Sequence, residues 1–289
     1  MKILFLVLSF LLSFLSWSQV KIELSVVDDS THEPLPYATV RFTNKNEGFY
    51  CDKQGMLKFS AALGDTVVIT YTGYIQETVK KFSGNLLTVK LKRKNYLLPE
   101  FTVKTFHENG RRKEIGYHKK SKSVFMGSQM MLEFAVKLEL PDDTTLYKIL
   151  EIIVPLQRKK DINRLRIHLY GVNELGLPGD ELLKSDILLS DENNEEMKKN
   201  GRFDVSKQSI IVSSKNIFVG VEWISEVEVS TALMGPSVKF TDAFKGAYTY
   251  VRMPVFFGGE WRLNSYLSPY AKQGYSENLA AGLRIQAVK

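Results

Sequence analysis

Residues 28–74 read DDSTHEPLPYATVRFTNKNEGFYCDKQGMLKFSAALGDTVVITYTGY, and this stretch decides the fold. Residues 28–33 are a polar run of turn formers. Pro34 and Pro36 fix two φ angles, remove two backbone donors and hold the residues before them extended. Tyr37, Thr39 and Arg41 then alternate with Ala38, Val40 and Phe42, the period of a strand with two unlike faces. Residues 44–48 turn the chain again. Asp52-Lys53-Gln54-Gly55 predicts a hairpin loop, with Gly55 free to take a positive φ. Leu57 and Phe59 share the next face, and Gly64-Asp65 turns into the β-branched run 66–70. Gly73, between Tyr71 and Tyr74, predicts a backbone bend.

Working outward, Ile22, Leu24 and Val26 alternate with Lys21, Glu23 and Ser25, and Leu87, Val89 and Leu91 supply a last strand. About seven short strands at spacings of about ten residues predict a β-sandwich. The order Val27-Asp28, Thr31-x-Glu33-Pro34-Leu35-Pro36-Tyr37-Ala38-Thr39-Val40, Gly48, Asp52-x-x-Gly55, Gly64-Asp65 and Tyr71-x-Gly73-Tyr74 resembles the carboxypeptidase regulatory-like domain, a transthyretin-like sandwich. The resemblance spans residues 20–92 and departs from the family at Cys51, where a small hydroxyl residue is more usual. It implies a fold and a bacterial envelope setting, often ahead of TonB-dependent receptors. It does not imply a reaction, because such sandwiches host many roles.

Before this domain, Lys2 and the apolar run to Leu15, closed by Ser16-Trp17-Ser18, predict a secretory signal peptide over residues 1–18 with Gln19 first in the mature chain. The apolar run is too short for a transmembrane helix. The single cysteine, Cys51, cannot form a disulfide within the chain and is expected as a small packed side chain. The net charge of +7 falls to +6 without Lys2. Residues 104–122 hold seven basic against two acidic side chains and supply five of those charges. Domain limits follow at 19–93 and 123–289, with 94–122 as a solvated basic linker. An exported chain does not meet nucleic acid in its normal work, whereas the basic segment suits an acidic envelope partner. The receptor reading fails on length, since a large outer-membrane barrel needs far more chain than follows residue 104.

The second half is again β-patterned. Leu165, Ile167 and Leu169 alternate with Arg164, Arg166 and His168, which places His168 on the polar, solvent-facing phase of a strand. Residues 146–156 are nearly continuous apolar, as in a strand covered on both faces. Residues 170–180 predict a long turn, with Asn173 and Asp180 weighed as ligands of a structural calcium. The order Arg164-x-Arg166-Ile167-x-Leu169-Tyr170, Gly176-x-Pro178-Gly179-x-x-Leu182 and Phe218-Val219-Gly220-Val221-Glu222-Trp223 resembles jelly-roll modules of bacterial surface proteins. The expected fold is all-β: two β-sandwich domains, transthyretin-like then jelly-roll-like, after a signal peptide.

Known chemistry is hard to place. His32, His107, His118 and His168 show no His-Glu-x-x-His spacing, so a zinc-peptidase site is not predicted. Nucleophile elbows and phosphate-binding glycine loops are also missing from the sequence. Asp180, Glu181, Asp191 and Glu192 fall on predicted loops, where acidic residues are commonplace. No cofactor, metal or catalytic residue is expected. The aromatic run from Tyr248 to Tyr275 points to recognition instead, with Trp261, Arg262, Tyr266 and Tyr270 as the candidate ligand-binding residues behind the mobile-backbone pair Gly258-Gly259. The expected role is non-enzymatic binding or docking of glycan or protein by an exported protein in the periplasm, on the outer-membrane surface or outside the cell. The alternative is a hydrolase with an unrecognised carboxylate site.

Overall fold

A computed structural model of the chain describes residues 19–62, 64–82, 84–95, 110–120, 123–125, 132–157, 164–189, 201–224, 237–253, 259–264 and 276–288. The proposed signal peptide, Asp191, Glu192, Tyr266 and Tyr270 lie outside them. The described residues form β-strands and their connections, with only short 3-10 turns besides, in two packed units.

The first unit packs a three-stranded sheet on a four-stranded one. In the three-stranded sheet, Gln19–Asp28 runs antiparallel to Met56–Ala62 and parallel to Leu86–Leu91, aligning Ile22 with Phe59 and Val26 with Val89. In the other, Thr39–Phe42 lies between Gly48–Tyr50 and Val67–Thr70, and Glu77–Val79 forms the far edge. The alternation seen in the sequence puts Ile22, Leu24, Val26, Val40, Phe42, Phe59, Val67, Ile69 and Val89 into one core, which also encloses Cys51. Burial pushes the Cys51 thiol up to about 12, so it packs as an inert apolar group.

The motif residues close this unit's turns. The Asp28 carboxylate accepts from the backbone of Ser30 and Thr31, from the Tyr74 hydroxyl at 2.6 Å and from Arg93 Nε at 2.9 Å. Asp52 accepts from the backbone N–H groups of Gln54 and Met56. Gly55 takes φ +71°, and a Cβ there would lie 2.8 Å from the Val26 carbonyl oxygen.

In the second unit a seven-stranded sheet runs Pro178–Glu181, Arg164–Val172, Asn216–Ile224, Glu133–Glu139, Thr249–Arg252, Arg262–Leu263, with Ile187–Leu189 also paired to Arg164–Val172. A five-stranded sheet is built on Leu146–Ile153 and Gly282–Val288, and a smaller one on Ser237–Thr241. Leu165, Ile167, Leu169, Val219, Val221, Phe134 and Trp223 meet Ile149, Ile152, Phe240, Leu283 and Ile285 in the common core.

Three expectations change here. His168 is buried rather than solvent-facing, because the first unit covers its side of the sheet. The apolar run at 146–156 is not one doubly covered strand. It breaks after Ile153, carries a register shift between Ile149 and Glu151, and turns Glu151 toward Arg202 at 2.9 Å and Arg284 at 3.0 Å. Within the basic stretch 94–122, Arg112–Gly116 is a strand paired with Gly282–Val288, its Glu114 held by Arg202 at 2.8 Å.

Candidate functional site

The seven-stranded sheet has a second face that carries a row of charged residues beside a small apolar cluster of Ala135, Tyr170 and Phe218. Strand register sets Arg166 beside Glu222, Glu222 beside Glu133, and Glu133 beside Arg252, one row across four strands. The next row aligns His168, Gly220, Ala135 and Tyr250. Gly220 is required there, since a Cβ would sit 3.1 Å from both the His168 Cβ and the Tyr170 ring. The two rings lie stacked, centroids 5.2 Å apart. Against this face stands the four-stranded sheet of the first unit, bringing Tyr37, Thr39, Arg41, Tyr50 and Thr70.

The joint between the units is polar and specific. The Tyr50 hydroxyl donates to Glu222 Oε1 at 2.8 Å. Arg166 donates to Asp186 at 2.9 Å, to Glu222 at 3.4 Å and to the Tyr37 carbonyl at 3.0 Å. Tyr37 holds φ +59°, a rare backbone for a bulky residue, and its ring lies 4.3 Å from the Arg164 guanidinium carbon. Gly73, at φ +84°, presses its backbone so close to Lys184 that a Cβ would lie 2.3 Å from the Lys184 carbonyl oxygen. The predicted bend at Gly73 therefore also serves the contact between units.

Beside the joint opens a cleft of about 470 Å³, lined from both units by Arg41, Thr70, Tyr71, Thr72, Glu133, Arg166, His168, Tyr170, Asp180, Glu181, Glu222 and Arg252. Its charges are held in fixed pairs. His168 places Nδ1 2.7 Å from Glu181 and Nε2 3.3 Å from Glu222. A carboxylate only accepts, so both ring nitrogens carry protons. Burial opposes that charge, but Glu133, Glu181 and Glu222 outweigh it and push the His168 pKa up to about 10. Burial likewise works against Glu222, yet His168, Arg166 and Tyr50 hold its carboxyl down at about 2. Glu133 takes the Tyr170 hydroxyl at 2.6 Å on one oxygen and Arg252 Nε at 2.9 Å on the other. Glu181 Oε1 accepts from the backbone of Leu169 and Leu183.

Arg41 differs from these cations. It is half-buried on the strand Thr39–Phe42, and burial followed by the nearby charge of Arg252 pushes its pKa down. Among the described residues no carboxylate lies within ion-pair distance of it.

The residues chosen from the sequence stand at the margin. Trp261 is half-buried, edge-on to Tyr170 at 5.9 Å and 4.6 Å from the Arg252 guanidinium carbon. Arg262 is exposed on Arg262–Leu263. Tyr266 and Tyr270 fall outside the described residues. Asp180 and Glu181, expected on a loop, belong to the strand Pro178–Glu181, and Asp180 pairs with Lys94 at 3.2 Å. The Asn173 side-chain oxygen is taken by the backbone of Leu175 and Leu177. Among the described residues no cluster of three or more His, Cys, Asp or Glu is placed to hold a metal ion.

Residues 25–103 match the family model of the CarboxypepD_reg-like domain, confirming the resemblance read from the first unit. No curated protein matches the chain. Among solved structures, a candidate carbohydrate binding protein from Bacteroides uniformis is 12% identical over 92% of this chain and 98% of its own, with a TM-score of 0.23. The major pilin subunit of Bacillus cereus is 8% identical over 86% of this chain and 67% of its own, at 0.20. The VP2 protein of Infectious Bursal Disease Virus is 9% identical over 94% and 62%, at 0.28. At such scores no ligand or role transfers from them.

Proposed function

We propose that this chain is an exported, non-enzymatic envelope protein that binds a glycan in the cleft between its two sandwiches. The observation that carries the reading is the cleft's lining: fixed hydrogen-bonding groups beside aromatic rings, contributed by both units. Thr39 and Thr70 offer hydroxyls, Asp180 offers carboxylate oxygens, and Tyr71 and Tyr170 offer ring surface. Polyhydroxylated rings are recognised by this combination of planar apolar faces and immobile donors and acceptors. Its volume, about 470 Å³, lies inside the range of about 300–1,000 Å³ that holds small organic ligands. Among the described residues no helix is long and apolar enough to cross a membrane, and Lys2 with the apolar run behind it supports export.

The hydrolase alternative is weaker on chemical grounds. Glycoside hydrolysis needs a carboxylic acid protonated near neutral pH, which requires a raised pKa. Glu222 is held at about 2, and Glu133 is fixed between Arg252 and Tyr170.

An oligosaccharide array probed with the full mature chain tests the reading. Binding that weakens about tenfold or more in Tyr71→Ala, in a variant that still unfolds in one cooperative transition, is the expected outcome. Release of reducing sugar from any bound oligosaccharide would overturn the non-enzymatic assignment.

A further inference from the structure

The charged face of the sheet is neutralised almost completely by its own residues, and among the described residues Arg41, which faces it, has no carboxylate within ion-pair distance. Glu133 uses both oxygens on Tyr170 and Arg252. Glu222 uses both on Tyr50, His168 and Arg166. Glu181 uses one on His168 and the other on two backbone N–H groups. Each of these carboxylates is already engaged by another cation, and none lies within ion-pair distance of Arg41. Gly259, at φ +83°, closes over the guanidinium: a Cβ there would lie 3.5 Å from Arg41 Nη1. The neighbouring stretches 254–258 and 265–275 carry no Asp or Glu in the sequence.

A half-buried guanidinium set beside a second cation, with no counter-ion among the described residues, is disfavoured by itself. An anionic ligand removes that cost on binding. The shape of the group narrows the choice, because a guanidinium presents two parallel N–H donors that match a planar carboxylate. The paired carboxylates of the cleft would repel a dianion, so a singly charged group fits best.

Resting on the glycan-binding reading above, we infer that Arg41 makes the cleft selective for acidic sugars, binding the carboxylate of a uronic acid residue while Tyr71 and the cleft threonines hold the ring. Arg41 is then a specificity residue, set on a strand of the first sandwich and aimed into a cleft whose floor belongs to the second. The arrangement also gives the first unit a task beyond spacing.

Calorimetric titration of the full mature chain with a uronic acid oligosaccharide and with its methyl ester decides the matter, since the two differ in charge and hardly in shape. The free acid should bind about tenfold or more tightly than the ester, the scale of a charge-assisted hydrogen-bonded pair. Arg41→Gln should erase that preference, bringing acid and ester to about equal affinity, and Arg41→Lys should keep only part of it. A preference that survives Arg41→Gln, or equal binding of acid and ester by the parent protein, overturns the inference while the glycan-binding reading stands. Failure to bind either compound, or any neutral oligosaccharide, overturns both. Among the described residues Arg41 has no ion pair to lose, so the variants should melt near the parent midpoint. A variant melting far below it would assign Arg41 to the fold and also overturn the inference.

Discussion

The seven-stranded sheet buries both of its faces, by opposite chemistry. On one side Leu165, Ile167, Leu169, Val219 and Val221 pack against the five-stranded sheet as an unbroken apolar layer. On the other, Arg166, His168, Glu222 and Glu133, each at most 7% exposed, lie under the first sandwich. The apolar face gains from losing water and tolerates many arrangements of similar volume. The charged face gains little from burial by itself and is acceptable only when each donor meets an acceptor. The apolar layer therefore holds the domain together, while the charged layer fixes how the two domains meet.

The sharpest way to break that distinction is to remove one charge from the row. Glu222→Ala leaves Arg166 and His168 buried without their shared partner and strips Tyr50 of its acceptor. Removing one member of a buried charge set costs about 3–5 kcal/mol, and denaturant unfolding should register a loss of that size. Replacing the row by apolar residues of similar volume should cost much less. A loss below about 1 kcal/mol in Glu222→Ala would show that water reaches the row and that the two faces are not equivalent in burial.

The legibility of the two faces in sequence differs for the same reason. Period-2 alternation is a signal that apolar faces write into a strand, and it predicted the first sandwich, its turns at Gly55 and Gly73, and the inward set Leu165, Ile167 and Leu169. The same signal marks every polar phase as solvent-facing. It cannot tell an exposed side chain from one covered by another domain, so it places His168 on the surface. Their unusual composition was visible: two cations on the polar phase of one strand, and Glu222 between Val221 and Trp223 on another. What the sequence lacked was the register that sets Arg166 beside Glu222, and the contact with Tyr50 across more than a hundred residues. Arg41 was hidden likewise, as one polar residue in an alternating strand.

A pH series sharpens the comparison next, because only the charged face titrates. The His168 pKa, raised to about 10 in the folded chain, lies above its value of about 6.5 in an unfolded one. Its contribution is therefore fully present below about pH 6.5 and is lost as the pH rises through about 10. Glu222, held at about 2 against about 4.3 when unfolded, contributes above about pH 4.3 and loses that contribution as the pH falls through about 2. Between pH 7 and 9 the parent should lose stability faster than His168→Gln, the difference in slope approaching about 1.4 kcal/mol per pH unit for one proton. Parallel slopes would mean that His168 is neutral in the folded protein, and the two-carboxylate geometry around it would need another explanation.

The smallest effect is expected where the two faces end. Trp223 belongs to the apolar side at 1% exposure, edge-on to Phe134 at 6.0 Å. Trp261 belongs to the charged side, half-buried, with its ring beside the Arg252 guanidinium and the edge of Tyr170. Truncating a core tryptophan opens a cavity and costs about 3–5 kcal/mol. Truncating Trp261 removes a cation–π contact and an aromatic edge contact, with part of its packing on the small cluster of Ala135, Tyr170 and Phe218, and Arg252 keeps its bonds to Glu133. Such contacts are worth about 0.5–1.5 kcal/mol each, so Trp261→Ala should cost about 1–2 kcal/mol, well short of Trp223→Ala measured in parallel. Its effect on glycan affinity should also be smaller than that of Tyr71→Ala, because Trp261 supports Tyr170 and Arg252 from outside the lined cleft. Equal losses of stability in the two tryptophan variants would place Trp261 in a core of its own and extend the apolar chemistry around the edge of the sheet.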